Sequence, residues 1–232
     1  MPSESAPDVS ILVPALNEQD TIREVVERLL ALPLSKQVIV IDDGSDDKTP
    51  EILASFGDQI KVIRNETRGG KGRAIRSGLK VATGKSVVIQ DADLEYVPEE
   101  LPSLVEPIVE GREDVVYGSR FSHGLHKSMA LPNKVVNLML RFAVLVLYGR
   151  RINDEATCYK AFRQGVLEDM HLECERFEFC PEVTAKAIRM GKRILEVPIS
   201  YEPRSKAAGK KIRWTDGIEA FWTLLKHRFK KF

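Results

Sequence analysis

The chain of 232 residues has few cysteines, few histidines and no long apolar run. Its longest uninterrupted apolar stretch, residues 142–148, is seven residues long, whereas a bilayer-spanning helix needs about 20, so no transmembrane helix is expected. The N-terminal MPSESAPD lacks the basic start and apolar core of a signal peptide. Cys158, Cys174 and Cys180 form no CxxC pair and cannot all be paired, which predicts reduced thiols and an intracellular protein. The histidines have no metal-ligand spacing, which argues against zinc.

The composition is that of an ordinary globular protein, with 43% hydrophobic and 30% charged residues, and it excludes a disordered or fibrous chain. The formal net charge of +1 hides an uneven distribution. Residues 204–232 contain nine Lys or Arg and two acidic residues, a net charge of +7, so the rest of the chain carries −6. This asymmetry suggests a polyanionic partner such as nucleic acid, anionic lipid or a phosphorylated ligand. The alternative is a solvated helix with scattered lysines.

Short β-branched runs alternate with helical patterns along much of the chain. The predicted strands are Val9–Val13, Val38–Ile41, Ile60–Ile63, Ser86–Ile89, Val115–Tyr117, Cys158–Phe162 and Ile194–Val197. The predicted helices are Glu18–Leu32, Lys48–Phe56, Lys71–Ala82, Pro98–Glu110, Pro132–Tyr148, Pro181–Met190 and a last one from about Asp216. Nearly continuous apolar strands are typical of a mainly parallel sheet between helix layers, an α/β fold. We predict a flexible N-terminus at 1–7, one domain at 8–203, and a basic loop and amphipathic helix at 204–232.

Two of the predicted helices are unusually apolar. In Pro132–Tyr148 the polar residues Asn133, Asn137 and Arg141 are four apart, which predicts either a core helix or one lying against an apolar surface. The last helix has an apolar stripe opposite a basic face, a pattern that fits a helix lying flat on an anionic membrane. The stripe consists of Ile218, Phe221, Trp222, Leu225 and Phe229, and the basic face of Lys226, Arg228, Lys230 and Lys231. Alternatively, the apolar stripe packs against the domain.

Polar residues directly follow four of the predicted strands. Ligands of parallel α/β sheets bind beyond the carboxyl ends of the strands, so these residues are predicted to share one edge. They are Asn17 and Glu18, Asp42–Ser45, Asp91–Glu95, and Gly118–Arg120. Clustered carboxylates are unfavourable unless cations or hydrogen-bond donors neutralise them. Asp91 and Asp93 are oxygen ligands of the kind that Mg²⁺ or Mn²⁺ prefers, although each acidic pair by itself also fits a turn.

Two glycine-containing segments resemble phosphate-binding motifs without matching them. GLKVATGKS, residues 78–86, has one residue too many for a P-loop, and Lys85 and Ser86 begin a predicted strand instead of a helix. GGKGRAIRSG, residues 69–78, lacks the GxGxxG spacing. This second segment either offers backbone N–H groups with Lys71 or Arg73 to an anion, or forms a flexible helix N-cap.

Taken in order, PALNE, IDDGSDD, GGKGRAIRSG, QDADLEY, YGSR and DEATCYKAFR, followed by a late Arg/Lys loop, resemble the motifs of family-2 glycosyltransferases. They look most like those of the dolichyl- or polyprenyl-phosphate sugar transferases, the branch of dolichol-phosphate mannosyltransferase. The resemblance covers about Val9 to Phe229. It implies a GT-A fold, a Rossmann-like single domain, and inverting transfer of a hexose from a nucleotide diphosphate sugar, GDP-mannose or a UDP-sugar.

The resemblance also implies roles for individual residues. Asp91 and Asp93 match the metal and diphosphate motif; Glu95 completes the predicted metal ligands at a position where some relatives carry Gln. With Lys71 from the glycine-containing segment, the predicted donor-binding residues are Pro14, Leu16, Glu18, Ile41, Asp43, Lys71, Asp91, Ala92, Asp93, Arg120, Arg204 and Lys210. The predicted catalytic residues are Asp93, Asp154 and Arg120. Asp154 matches an aspartate near the acceptor, although Ala156 stands where an acidic residue is expected.

In the predicted reaction, Mg²⁺ or Mn²⁺ together with Arg204 and Lys210 stabilises the departing nucleotide diphosphate. A polyprenyl or dolichyl phosphate acceptor is already anionic and needs little help from a base, whereas a hydroxyl acceptor needs one, for which Asp154 is the candidate. The predicted location is the cytoplasmic face of a membrane, held peripherally on its anionic surface, with no nucleic acid partner; a homo-oligomer is left open. The alternatives are a saccharide or soluble hydroxyl acceptor, a sugar nucleotidyltransferase, and a non-catalytic nucleotide- or lipid-binding adaptor.

Overall fold

The computed structural model describes residues 6–121, 131–203 and 214–230, with side chains except at 131–133 and 214–215. The strands are β1 (Val9–Ala15), β2 (Lys36–Asp42), β3 (Lys61–Arg64), β4 (Ser86–Ile89), β5 (Val115–Ser119), β6 (Lys160–Arg163) and β7 (Leu195–Pro198). The helices are α1 (Ile22–Ala31), α2 (Thr49–Ala54), α3 (Lys71–Leu79), α4 (Leu101–Val109), α5 (Leu131–Tyr148), α6 (Gln164–Asp169), α7 (Phe179–Arg189) and α8 (Trp214–Phe229). Residues 1–5, 204–213 and 231–232 lie outside these ranges, so the proposed division of the chain stays a prediction.

All seven strands form one sheet in the order β3-β2-β1-β4-β6-β5-β7. The first four are parallel, and β5 is parallel to β7. Strand β6 runs antiparallel to both of its neighbours, β4 and β5. Strands β1, β2, β4 and β5 therefore end at the same edge of the sheet, and β6 begins there. This reversal brings the segment before β6, residues 154–159, to the edge where the polar residues were predicted to gather.

Apolar side chains cover both faces of the sheet, as the nearly continuous apolar strands predicted. Along β1, Ile11 and Val13 pack with residues of α1 and α4, whereas Leu12 packs with residues of α3, α5 and α7. Helix α8 adds the buried residues Ala220 and Leu224 to this second layer. The predicted sheet between two helix layers is confirmed.

The seven predicted strands and seven predicted helices are all present, with ends that shift by a few residues. The first helix begins at Ile22 instead of Glu18, because Glu18 is held in a turn: its N–H donates to Thr49 Oγ1 at 3.0 Å, and its carbonyl accepts the N–H of Thr21. The short helix α6 was not predicted. Nor was the antiparallel direction of β6, which depends on contacts with strands distant in sequence.

The turn before β4 lies against the backbone of β1. A Cβ atom on Gly84 would lie 2.4 Å from the nitrogen of Ser10 and 2.6 Å from the carbonyl carbon of Val9. Backbone in the middle of a sheet cannot move aside as a side chain does. Glycine at this position is therefore required for the close approach of β4, which carries Asp91 and Asp93 at its end.

We expect Gly84→Ala to lower the free energy of unfolding by about 1–3 kcal/mol, the usual cost of overpacking. The matched control is Gly165→Ala in α6, where a Cβ meets nothing within 4 Å. In the control, alanine should leave stability unchanged or raise it by up to about 1 kcal/mol, because alanine favours a helix. Urea denaturation of both variants measures the difference. Equal midpoints would contradict the close approach.

Candidate active site

A cleft of about 350 Å³ lies at the edge of the sheet where β1, β2, β4 and β5 end. Most of the predicted site residues line it: Pro14, Leu16, Glu18, Asp43, Lys71, Asp91, Ala92, Asp93, Glu95 and Arg120. Two do not. Ile41 is fully buried in the core, where its side chain packs below Gly78 of α3, and Asp154 is fully buried behind the cleft. Arg204 and Lys210 lie outside the described residues.

Asp43 is held at one side of the cleft by three hydrogen bonds to its carboxylate. The backbone N–H groups of Gly69 and Gly70 donate to Oδ2 at 3.0 and 2.6 Å, and Asn65 Nδ2 donates to Oδ1 at 2.7 Å. Gly70 has a φ of +88°, a conformation that favours glycine. Asp43 thereby fixes the turn from which α3 starts, and it places Lys71 at the cleft.

The sequence left open whether this glycine turn offers its backbone to a bound anion or forms a flexible helix N-cap. Four of its N–H groups are occupied. Two donate to Asp43, and those of Gly72 and Arg73 donate to the carbonyl oxygens of Arg176 and Glu175, each at 2.9 Å. The anion at the start of α3 is the carboxylate of Asp43. What the segment contributes to the cleft is the side chain of Lys71.

Lys71 bridges two residues that line the cleft, Asp91 and Cys158. Its Nζ forms an ion pair with Asp91 and donates to the Sγ of Cys158 at 3.0 Å. Burial lowers the pKa of Lys71, but the charges of Asp91, Cys158 and Cys180 and the hydrogen bond to Asp91 together outweigh burial and raise that pKa well above the ordinary value. Lys71 is therefore a fixed positive charge beside the two aspartates at the end of β4.

Asp91 and Asp93 suit a divalent cation whose remaining coordination positions are filled by a bound ligand. Among residues 6–121, 131–203 and 214–230, no three His, Cys, Asp or Glu side chains are grouped as a metal-ligand set. Mg²⁺ is often bound by one or two carboxylates together with water and substrate phosphates, and the aspartates supply that number. Glu95 accepts a hydrogen bond from Tyr201 Oη at 2.9 Å, which holds the Glu95 carboxylate beside the ring of Tyr201.

Arg120 is held rigidly at the opposite side of the cleft. Its Nε and Nη2 donate to the two carboxylate oxygens of Asp154 at 2.8 and 2.7 Å, and its own backbone N–H donates to the same side chain at 2.9 Å. The guanidinium lies about 5 Å from the ring centres of Phe121 and Tyr201. Its Nη2 also reaches Asn137 of α5, at 3.5 Å.

Asp154 is in turn fixed from β7. Glu196 accepts the backbone N–H groups of Asn153 and Asp154, each at 2.9 Å. Both carboxylate oxygens of Asp154 are bonded to a guanidinium that is permanently charged. This geometry gives Asp154 the role of positioning Arg120, in place of the acid–base role that the sequence suggested.

Several residues of the cleft were not predicted from the sequence. They include Tyr96, Ala156, Cys158, Arg176, Phe177 and Tyr201. Tyr96 stacks on Tyr159, with ring centres 4.6 Å apart, and its Oη accepts the backbone N–H of Cys158 at 3.1 Å. Cys158 and Ala156 reach the cleft because β6 is reversed, which no local pattern indicates. The position of Tyr96 directly after QDADLE was a usable signal.

Glu155 gains or loses its proton within the pH range in which protein stability is usually measured. It is 1% exposed, and burial raises its pKa from 4.5 to about 7, partly opposed by the charge of Lys160. The folded protein keeps this proton at a pH where the unfolded chain has released it. The contribution to stability is therefore full below pH 4.5 and falls by about 3 kcal/mol as the pH rises to 7.

We expect Glu155→Gln to remove that part of the pH dependence, so that the variant loses less stability than the wild type between pH 5 and pH 8. Urea denaturation at several pH values measures the slope. Glu106→Gln, at an exposed position of α4, is the matched control and should reproduce the wild-type slope. Parallel profiles for wild type and Glu155→Gln would contradict a buried, protonated Glu155.

Known proteins resemble this chain over most of its length. It is 29% identical to a UDP-N-acetylglucosamine–dolichyl-phosphate N-acetylglucosaminyltransferase of Methanococcus voltae, with 94% of each chain covered. It is 30% identical to a dolichol-phosphate mannosyltransferase of Pyrococcus furiosus over 87% of this chain. It is also 30% identical, over 88% of this chain, to an undecaprenyl-phosphate 4-deoxy-4-formamido-L-arabinose transferase of Photorhabdus laumondii. The chain spans 58% and 63% of the length of these last two enzymes.

Among solved structures, glucosyl-3-phosphoglycerate synthase from Mycobacterium tuberculosis in complex with Mn²⁺, uridine diphosphate and phosphoglyceric acid superposes with a TM-score of 0.74. The match covers 97% of this chain and 79% of that one at 22% identity, and it confirms the predicted fold class. The family model for glycosyl transferase family 2 matches residues 10–170, which is more than half of the chain. The chain belongs to glycosyl transferase family 2.

Proposed function

We propose that this glycosyltransferase moves a hexose from a nucleotide diphosphate sugar to a polyprenyl or dolichyl phosphate, with Mg²⁺ or Mn²⁺, on the anionic cytoplasmic surface of a membrane. The observation that carries the proposal is the cleft itself, in which Asp91 and Asp93 face the fixed cations of Lys71 and Arg120. The names of the relatives support both the nucleotide sugar and the lipid phosphate. Membership in the family sets aside the nucleotidyltransferase and the non-catalytic adaptor.

On the donor side, the cleft must bind a diphosphate that leaves with added negative charge. A divalent cation bound by Asp91 and Asp93 would neutralise that charge. Lys71 holds Asp91 in place and adds a positive charge at the same edge. Tyr96, Arg176 and Phe177 line the same cleft.

On the acceptor side, Arg120 is the group that suits a phosphate. Its guanidinium is held in one position by the two hydrogen bonds that it donates to Asp154 and by the flanking rings of Phe121 and Tyr201. A hydroxyl acceptor would need a general base, and the sequence-based candidate, Asp154, is buried and bonded to Arg120. A lipid phosphate is already anionic. The locked aspartate therefore favours a phosphate acceptor over a saccharide hydroxyl.

The surface beside the cleft supports a membrane partner. On α5, six apolar residues spaced along one side are exposed: Val135, Leu138, Met139, Phe142, Leu145 and Val146. On α8, Ile218, Trp222 and Phe229 are 46%, 60% and 75% exposed, while Ala220 and Leu224 pack against the protein. Most of the apolar stripe of α8 is therefore not used to cover the domain. An exposed apolar surface of this kind is typical of an interaction site, and within the described residues no helix is long and apolar enough to span a bilayer.

We expect Asp93→Asn to lower transfer by about 100-fold or more, because removing one group that stabilises charge at such a site costs about 3 kcal/mol. The assay follows labelled sugar from the donor into organic-extractable polyprenyl phosphate. The donor is first chosen as the nucleotide sugar that raises the melting temperature most in the presence of Mn²⁺. Asp58→Asn, exposed and distant from the cleft, is the control. Turnover of Asp93→Asn near the wild-type rate would refute the assignment of Asp93.

The apolar surface of α5 and α8 should bind anionic vesicles, and Phe142→Glu should weaken this binding by roughly 10-fold or more. A buried Phe side chain contributes about 1.5–3 kcal/mol, and 1.4 kcal/mol is tenfold in affinity. Flotation with vesicles of phosphatidylglycerol and phosphatidylcholine measures the bound fraction. Val62→Glu introduces the same charge at a 39% exposed residue on edge strand β3 and should float as the wild type does. A wild-type protein that ignores vesicles and self-associates through this surface would contradict the membrane proposal.

A further inference from the structure

Two of the three cysteines lie together behind the donor cleft. Cys158 lines the cleft and precedes β6, and Cys180 is the second residue of α7. Lys71 Nζ donates to Cys158 Sγ at 3.0 Å, and Cys180 Sγ donates at 3.3 Å to the carbonyl oxygen of Thr157, the residue directly before Cys158. Hydrogen bonds thus connect Asp91 through Lys71 to Cys158, and Cys180 lies against the backbone of the same segment.

The surroundings of this thiol pair favour a thiolate. The first turn of α7 presents the positive end of its dipole to Cys180, and the ammonium groups of Lys71 and Lys160 are close to it. The hydrogen bond from Cys158 and these two cations lower the pKa of Cys180 to about 6, although burial opposes them. Thiolates in electropositive, partly accessible surroundings are the ones that react. Cys180 is half-buried, and Cys158 is reached through the cleft.

We propose that Cys158 and Cys180 are a redox-sensitive pair at the donor cleft, which hydrogen peroxide converts to an intramolecular disulfide. The Cys180 thiolate attacks the peroxide oxygen, the O–O bond breaks, and the leaving hydroxide takes up a proton, which leaves a sulfenic acid on Cys180. Cys158 then attacks this sulfur, the S–S bond forms, and the S–O bond breaks to release water. Two thiols lose two electrons in total, and one peroxide is reduced to two water molecules.

The disulfide would alter the donor cleft through Lys71. Formation of the S–S bond brings the two sulfur atoms to about 2.05 Å apart, which draws residues 157–158 toward α7. The sulfur that Lys71 contacts would move with them and lose its thiol proton. Because Lys71 also pairs with Asp91, oxidation should weaken binding of a nucleotide diphosphate with Mn²⁺. This consequence rests on the proposed donor site, whereas formation of the disulfide does not.

Peptide mapping tests the disulfide directly, because trypsin places the three cysteines on separate peptides: residues 152–160, 164–176 and 177–186. After treatment with hydrogen peroxide, we expect the thiol count to fall from three per chain to one, and peptides 152–160 and 177–186 to appear linked until dithiothreitol is added. Cys174→Ser should form the same linked peptide, and Cys180→Ser should not. Three remaining thiols, a link to Cys174, or oxidation of Cys180 without a linked peptide would overturn the proposal.

The coupling to the cleft has a separate measurement. The increase in melting temperature that UDP or GDP causes with Mn²⁺ should shrink after peroxide treatment and return after reduction, and Cys180→Ser should keep it in both conditions. An unchanged increase in a protein that carries the linked peptide would overturn the coupling. The mapping involves no sugar transfer, so failure of the thiol pair is distinguishable from failure of the proposed function.

Discussion

The structure depends on how the carboxylates at the carboxyl edge of the sheet are neutralised. Asp43 follows β2 and Asp91 follows β4, the two parallel strands on either side of β1, and so much negative charge at one edge would be unfavourable without partners. The fold neutralises them in two ways. Asp43 is bonded to the backbone of the glycine turn and to Asn65, whereas Asp91 is paired with Lys71, the first residue of the helix that this turn starts. Asp43 thus positions Lys71, and the ammonium group of Lys71 neutralises Asp91.

The reversed strand β6 gives the cleft its second wall. A sheet with all strands parallel would carry the residues that precede each strand to the edge opposite the ligands. Since β6 begins where β4 and β5 end, residues 154–158 reach the cleft, and Asp154 meets Arg120 there. Glu196 on β7 then holds the segment of Asp154 in place. Arg120 is consequently fixed by three strands that are distant in sequence.

The sequence predicts what local chemistry determines. Apolar runs located the strands, and polar residues that directly follow a strand, such as Asp91 and Asp93, were correctly expected at one edge. What depends on the pairing of distant segments was not predictable from one sequence: the direction of β6, and the arrival of Cys158 and Tyr201 at the cleft. Asp154 was predicted only in part. Its placement close to the site was expected, but its burial under Arg120 follows from tertiary packing alone.

The structure explains why the mostly apolar helix α5 contains polar residues. Asn137 reaches Arg120 Nη2, while Leu138 and Phe142, on a different side of the same helix, are exposed. One helix therefore touches the proposed phosphate-binding group and also presents the apolar surface proposed to meet lipid. An α-helix with its side chains is about 10–12 Å across, so these two features are separated by roughly one helix diameter. A lipid phosphate at the membrane surface would need to travel only that distance to reach Arg120, while its hydrocarbon chain stays beside α5. The same geometry would offer no comparable advantage to a soluble acceptor, which gains nothing from an apolar helix beside the phosphate site.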